Sequence, residues 1–79
     1  MRWSYIGAGS VIDAETVVVA LDWRQGKNSP MNRELVGYAR AHGFLGHEDE
    51  DAGILLVTSD KVWLLQGSVK TLKRRLEQT

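Results

Sequence analysis

The alternation of apolar and polar residues divides the first third of the chain into short strands. Residues 3–6 and 11–12 are apolar pieces around the glycine-rich segment 7–9, which predicts two strands joined by a tight turn. Residues 16–23 are rich in β-branched and apolar side chains, and this composition predicts a central strand of a sheet. The polar, glycine-containing segment 25–28 should end that strand.

A helix is predicted to begin at Ser29-Pro30 and to run to His42. Serine is a favoured N-cap, proline fits the first helical position, and Gly43 suits the left-handed residue that ends a helix. Apolar residues recur along this helix at three- and four-residue spacing, so one stripe should be buried. The expected buried residues are Met31, Leu35, Tyr38, Ala39 and His42, and the expected outward residues are Asn32, Arg33 and Arg40.

The second half of the chain is predicted to add a hairpin. Residues 44–45 should begin a strand, and the acidic residues 48–51 should form the loop after it. Residues 54–58 and 62–66 are apolar runs separated by the turn residues 59–61, which predicts an antiparallel hairpin.

The C-terminal segment is predicted to be a helix capped by Gly67-Ser68, with Val69, Leu72 and Leu76 on one face. The order is then strands, helix, β-hairpin and C-terminal helix. We therefore expect an α+β fold with a small, mostly antiparallel sheet and two helices. A length of 79 residues allows one hydrophobic core, so residues 1–79 should form a single domain.

Composition narrows the possible functions. The chain has no cysteine, which removes disulfides and thiolate metal sites and fits a reducing, cytoplasmic compartment. The longest apolar run is residues 17–21, far shorter than the roughly twenty residues of a membrane span, and residues 1–6 do not resemble a signal peptide. Ten basic and ten acidic residues balance, so the net charge alone predicts no anionic partner.

The strand pattern predicts self-association. In residues 62–66, Val62 and Leu64 should point to one face and Trp63 and Leu65 to the other, whereas two short helices should cover only one face. We expect a second copy of the chain to cover the other face of the sheet. The simpler alternative is that single exposed tryptophans have no functional meaning. The expected interface residues are Trp63, Leu65, Trp3 and Pro30.

No catalytic or metal-binding pattern stands out. Segment 7–9 lacks the third glycine of a dinucleotide loop, because Ile12 occupies that position. His47 precedes an acidic run, but a calcium loop starting at Asp49 would need glycine where Ile54 stands, so a solvated loop is favoured. The four serines fit turns and caps, and none lies in a nucleophile motif. We expect no enzyme activity, metal or cofactor.

The C-terminal helix is the strongest charged feature. Lys70 and Arg74 should lie one turn apart with Lys73 beside them, so three cations could meet one phosphate backbone. Arg24 and Lys27 could extend this patch. The alternative from these residues alone is a solvated face whose charge is partly neutralised by Glu77.

Several short segments, in order and at compatible spacing over nearly the whole chain, also occur together in a known family. They are Ile6-Gly7-x-Gly9, Leu21-Asp22-Trp23, Asn28-Ser29-Pro30, Gly43-Phe44, strand 54–58 and Ser68-x-x-Thr71-Leu72-Lys73-x-Arg75. In this order they resemble the extracellular matrix regulatory (Rem) family of bacterial regulators of biofilm matrix genes. The ending resembles the RemB-like branch.

The resemblance implies a ring-shaped homo-oligomer that binds promoter DNA through repeated subunit contacts. DNA-binding members carry arginines in the turn that matches Ala14-Glu15-Thr16 and in the loop that matches residues 48–53, and this chain has none there. DNA contacts are therefore expected to have moved. The expected positions are Lys70, Lys73, Arg74, Arg24, Lys27, Arg33 and Arg40.

Two functions follow as hypotheses. The first is a DNA-binding transcriptional regulator of matrix genes that acts as a ring. The second is an oligomeric scaffold that works with a DNA-binding paralogue without binding DNA itself, through Trp23 or the acidic residues Glu48, Asp49, Glu50 and Asp51.

Overall fold

The computed structural model describes residues 1–78. It contains six short strands of 4 to 6 residues, together with one helix of 12 residues, one of 9 and one of 4. The elements are β1 (Trp3–Gly7), β2 (Ser10–Asp13), a 3₁₀ turn (Ala14–Thr16), β3 (Val17–Asp22), α1 (Trp23–Gly26), α2 (Pro30–Ala41), β4 (Leu45–Glu48), β5 (Ile54–Thr58), β6 (Val62–Leu65) and α3 (Val69–Glu77).

The main sheet has the strand order β3-β5-β6-β4. The β3/β5 and β5/β6 pairs are antiparallel, and β4 runs parallel to β6. The predicted α+β fold with a mostly antiparallel sheet is therefore confirmed. The prediction of a central strand at residues 16–23 is wrong, because β3 is an edge strand. Composition predicted the strand, whereas pairing between distant segments decided its place in the sheet.

The predicted pair of strands β1 and β2, joined by a tight turn, is confirmed, and it forms a two-stranded sheet separate from the main one. Its turn needs left-handed backbone at three successive residues, with φ of 95° at Gly7, 55° at Ala8 and 71° at Gly9. Two of these three residues are glycine, which adopts such angles without steric cost.

The hairpin and α3 together cover one face of the main sheet. Ile6 and Ile12 of the hairpin and Leu72 of α3 form one core cluster with the sheet residues Trp63 and Leu65. The indole N–H of Trp63 donates to Thr58 Oγ1 at 3.2 Å, which satisfies its polar atom inside this cluster.

The expectation that a second copy covers Trp63 and Leu65 is therefore corrected. Trp63 is 8% exposed and Leu65 1% exposed within a single chain. The two longer helices lie on opposite faces of the sheet, not on one face as expected, and α3 covers these residues together with the N-terminal hairpin. Trp3 and Pro30, the other two expected interface residues, remain exposed.

Helix α2 covers the other face, but with a different stripe from the one predicted. Its N-cap Ser29, its first residue Pro30 and its C-cap His42 agree with the sequence, and Gly43 takes the expected left-handed φ of 77°. Its buried residues are Val36 and Ala39. Of the predicted buried stripe only Ala39 is buried, whereas Met31, Leu35, Tyr38 and His42 are exposed.

The physical reason lies in how α2 docks. Val36 and Ala39 pack in the second core cluster with Leu55, Val62 and Leu64. Arg33 and Arg40 point outward as predicted. Small residues bring the helix close to the sheet, and larger apolar residues at equally helical spacing stay outside. The sequence contains two candidate stripes, and docking selected the less hydrophobic one.

Most of the remaining predictions for the C-terminal half agree with the structure, but Glu48, expected in the acidic loop, is the last residue of β4. β5 has the predicted bounds, β6 ends one residue before the predicted limit, and Ser68 caps α3. Leu72 is buried, and Val69 and Leu76 pack against the same cluster. Segment 25–28, expected as a break, begins inside the short helix α1. Within residues 1–78, every helix is too short or too polar to cross a bilayer.

Candidate nucleic-acid interface

The N-cap and the buried residues of α3 determine which of its cationic side chains face solvent. The hydroxyl of Ser68 accepts from the N–H of Thr71 at 3.2 Å, which starts the helix at Val69. Leu72, 2% exposed, sets the rotation of the helix against the sheet. The positions between the buried ones then face solvent. The exposed cations on the side away from β1 are Lys70, Lys73 and Arg74.

These three cations form no ion pair with any carboxylate of residues 1–78. Lys70 and Arg74 lie one helical turn apart, about 6 Å along the axis. Arg75 lies on the other side of α3, and its guanidinium sits over the Tyr5 ring at 5.9 Å from the ring centroid. Arg75 therefore packs against the hairpin, while Lys70, Lys73 and Arg74 keep their charges available to an external anion.

Arg24 lies near the start of α3. Asp22 caps α1 by accepting from the N–H of Arg24 at 3.0 Å. The guanidinium carbon of Arg24 is 3.5 Å from the position that a Cβ on Gly53 would occupy, and that position is beside the carbonyl oxygen of Gly67. Gly67 immediately precedes the α3 cap. The structure thus brings Arg24 to the same end of the molecule as the first turn of α3.

Lys27 is the C-cap of α1, and its N–H donates to the carbonyl of Trp23 at 2.7 Å. Its side chain is exposed. Lys27 therefore belongs to the same short helix as Arg24 and is a candidate for the edge of the cationic face.

Arg33 and Arg40 do not join this face. Both lie on α2, which packs on the opposite side of the sheet from α3. Arg40 is also hydrogen bonded to Glu48, from its Nε to Oε1 at 3.1 Å and from Nη2 to Oε2. These hydrogen bonds lower the pKa of Glu48 and raise the pKa of Arg40. The charge of Arg40 is therefore balanced within the chain.

The acidic loop lies at the end of the sheet where β4 and β6 finish. The N–H of Asp49 donates to the carbonyl of Leu64 at 3.0 Å, and its carboxylate accepts from Gln66 Nε2 at 3.1 Å. His47 Nε2 is 3.9 Å from the other carboxylate oxygen. Glu50 and Asp51 are exposed. Asp49 is therefore held by its neighbours, and the two exposed carboxylates would repel an approaching phosphate.

The turn Ala14–Thr16 is also anionic where the resemblance would place arginine. Asp13 caps it, accepting from the N–H of Glu15 at 3.0 Å and the N–H of Arg2 at 3.1 Å. These bonds lower the pKa of Asp13. Glu15 also lies 3.6 Å from the N-terminal ammonium and 3.9 Å from Nε of Arg2, so the acidic side chains of this turn are paired with cations of the chain's first two residues.

Two surface features were not predicted from the sequence. The rings of Tyr38, His42 and Phe44 stand beside one another on α2 and its exit, with centroids 4.2 Å apart for Tyr38 and His42. The second is a cleft of about 420 Å³ between β1 and β4, lined by Tyr5, His47 and Arg75 among others. The spacing of Tyr38 and His42 was a usable signal, but it also fitted a buried stripe.

No group of three or more His, Cys, Asp or Glu side chains within residues 1–78 is arranged to hold a metal ion. Compared with known proteins, the chain matches no family model and no curated protein.

Proposed function

We propose that this protein is a DNA-binding transcriptional regulator that acts as a homo-oligomer, and that α3 contacts the phosphate backbone. The observation that carries the proposal is the row of exposed cations on α3, Lys70, Lys73 and Arg74, none paired with a carboxylate of residues 1–78. The Rem-like order of segments supports promoter DNA of extracellular matrix genes as the target and a ring as the assembly.

Repetition is what would make such a small patch effective. Each copy offers three cations on α3 and Arg24 near its start, so a single copy would bind weakly. Several copies on one assembly bind the same duplex at high effective concentration, which raises overall affinity without any new contact. Binding of this kind reads the backbone and the shape of DNA more than its base edges.

The test is the salt dependence of duplex binding. For the double variant Lys70→Glu/Arg74→Glu we expect weaker binding, and a plot of log K against log[salt] whose slope is smaller by about 2 per subunit. A paired comparison uses Arg74→Glu and Arg33→Glu, because Arg33 is also exposed but lies on α2, on the opposite face of the sheet. Arg74→Glu should weaken binding and Arg33→Glu should not.

Two results would count against the proposal. If the double variant bound the duplex as tightly as the parent chain does, α3 would not be the contact surface. Absence of duplex binding at low salt by the parent chain would favour the scaffold function, in which the exposed Glu50 and Asp51 or Trp23 meet a protein partner.

A further inference from the structure

A cleft of about 420 Å³ opens between the N-terminal hairpin, the ends of β4 and β6, and the last turns of α3. Part of its lining is apolar and rigid, because Ile6 is 2% exposed and Leu65 1% exposed in the core cluster of this face. Sites for small molecules enclose roughly 300–1,000 Å³ and combine an apolar lining with a few polar groups. The cleft therefore has the size of a site for a molecule near the lower end of that range.

The wall formed by the hairpin and α3 carries a cation. The guanidinium of Arg75 lies 5.9 Å from the centroid of the Tyr5 ring and forms no ion pair with a carboxylate of residues 1–78. The hydroxyl of Ser4, 2% exposed, donates to the carbonyl of Arg75 at 3.5 Å and ties this turn of α3 to β1. A guanidinium binds a carboxylate through two parallel hydrogen bonds. This wall is therefore suited to a carboxylate group of a ligand.

The wall formed by β4 and the loop after it carries a carboxylate with one oxygen committed and the other open. Asp49 Oδ1 accepts from Gln66 Nε2 at 3.1 Å and from the N–H of Asp51 at 2.9 Å. Oδ2 lies 3.9 Å from His47 Nε2, which is beyond hydrogen-bond distance. The bonds to Oδ1 hold the carboxylate in place, and Oδ2 can accept a hydrogen bond from the ammonium group of a ligand.

The two opposite charges exclude ligands whose charge has a single sign. A phosphate or a dicarboxylate at Arg75 would bring further negative charge toward Asp49, and a metal ion or a polyamine at Asp49 would bring positive charge toward Arg75. A ligand with one charge would also cover the second wall without pairing its charge, which costs free energy. A molecule with one carboxylate and one ammonium group pairs with both walls.

We propose that this cleft binds a small zwitterion, a free amino acid, whose carboxylate pairs with Arg75 and whose ammonium group donates to Asp49 Oδ2. The side chain of the amino acid then lies against the Tyr5 ring and the apolar lining of Ile6 and Leu65. The polar groups fix the orientation of the ligand, and the apolar lining selects among side chains.

The first test screens the twenty standard amino acids one at a time for a rise in the melting temperature of the full chain. At about 10 mM of a ligand whose Kd is on the order of 0.5 mM, binding to the folded chain alone should raise the melting temperature by about 10 °C. The fluorescence of the three tryptophans reports the unfolding transition without a label.

The second test asks whether both charges of the ligand are needed. The amino acid that gives the largest rise is compared by titration calorimetry with its amide, which lacks the carboxylate, and with its N-acetyl derivative, which lacks the ammonium group. Each loses one charge-assisted hydrogen-bonding contact, so the Kd of each should be at least about 10-fold higher. This comparison needs no substitution in the protein.

Two variants assign each charge to its wall. Arg75→Gln should bind the amino acid at least about 10-fold more weakly and should no longer distinguish it from its amide, and Asp49→Asn should no longer distinguish it from its N-acetyl derivative. Arg33→Gln and Asp51→Asn are the matched controls, because both side chains are exposed and neither lines the cleft. Both controls should bind as the parent chain does.

Three outcomes would overturn the proposal. They are the absence of a rise with any of the twenty amino acids, equal binding of the amide or the N-acetyl derivative by the parent chain, and unchanged discrimination in both Arg75→Gln and Asp49→Asn. The proposal does not depend on DNA binding, because none of Lys70, Lys73 and Arg74 lines the cleft. Failure of amino-acid binding would therefore leave the α3 proposal in place.

Discussion

Gly46 of β4 offers a test of whether Trp63 belongs to the core of a single chain. A Cβ placed on Gly46 would lie 2.6 to 2.8 Å from three atoms of the Trp63 six-membered ring. Ordinary carbon contacts are about 3.5–4.0 Å, so Gly46→Ala forces the indole or the strand to move. The φ of Gly46 is not in the left-handed region, so the cost comes from packing alone.

The magnitude follows from overpacking. The indole is 8% exposed and hydrogen bonded to Thr58, so it has little freedom to move away. Forcing extra carbon into such a core costs about 1–3 kcal/mol, which for a domain of this size lowers the melting temperature by about 10 °C. Gly46→Ala should therefore fold, but melt clearly earlier.

Thermal and urea unfolding followed by circular dichroism would measure this change. Gly37→Ala is the matched control, because Gly37 lies within α2 and an added Cβ there meets no atom within 4 Å. Alanine should stabilise that helix by roughly 0.5–1 kcal/mol. The opposite signs expected for two glycine-to-alanine changes exclude a general effect of the substitution.

A double-mutant cycle isolates the contact. Trp63→Leu removes the ring atoms that Gly46→Ala would strike, so the second substitution should cost much less in that background. Equal costs in both backgrounds, or an unchanged melting temperature for Gly46→Ala in the parent, would refute the placement of Trp63. A charged residue at position 63 should accordingly unfold the chain instead of dissociating an assembly.

Two further changes test the surface ion pair and the α2 cap. Because Arg40 lowers the pKa of Glu48 from its ordinary 4.5, the pair stabilises the fold above that pH and its contribution is lost as the pH falls through the folded pKa. Both side chains are exposed, so Glu48→Gln should lower the free energy of unfolding by only about 0.5 kcal/mol at neutral pH. Near pH 3 the substitution should have no effect on it. An equal loss at both pH values would contradict this reasoning. Ser29→Ala removes the acceptor for the Asn32 N–H and should cost about 1 kcal/mol in urea unfolding, whereas no loss would show that the cap is dispensable.

Most helices and strands of this protein can be predicted from the sequence because the signals that define them are local. A serine cap, a proline at the first helical position and a glycine after the last turn fall within α2 or next to it, and the structure places each as predicted. The same holds for Ser68 at α3 and for the glycine-rich turn between β1 and β2. Local backbone preferences need no knowledge of distant residues.

The candidate site was only partly predictable. Helical spacing placed Lys70, Lys73 and Arg74 on one exposed side of α3, as in the structure. The same reasoning could not separate Arg24, which reaches the start of α3, from Arg33 and Arg40, which lie across the sheet. Charge is visible in a sequence, but the side of the sheet on which a charge lies depends on the path of the chain between elements.

By itself, the sequence determined the order of strands and helices, the caps and the alternation of side chains in β6. Tertiary structure decided three further points: that β3 lies at an edge, that the hairpin buries Trp63 and Leu65, and that α2 docks through Val36 and Ala39. Each depends on contacts between segments far apart in the chain. Several apolar stripes compete for one core, and mutual packing, which no local pattern encodes, selects among them.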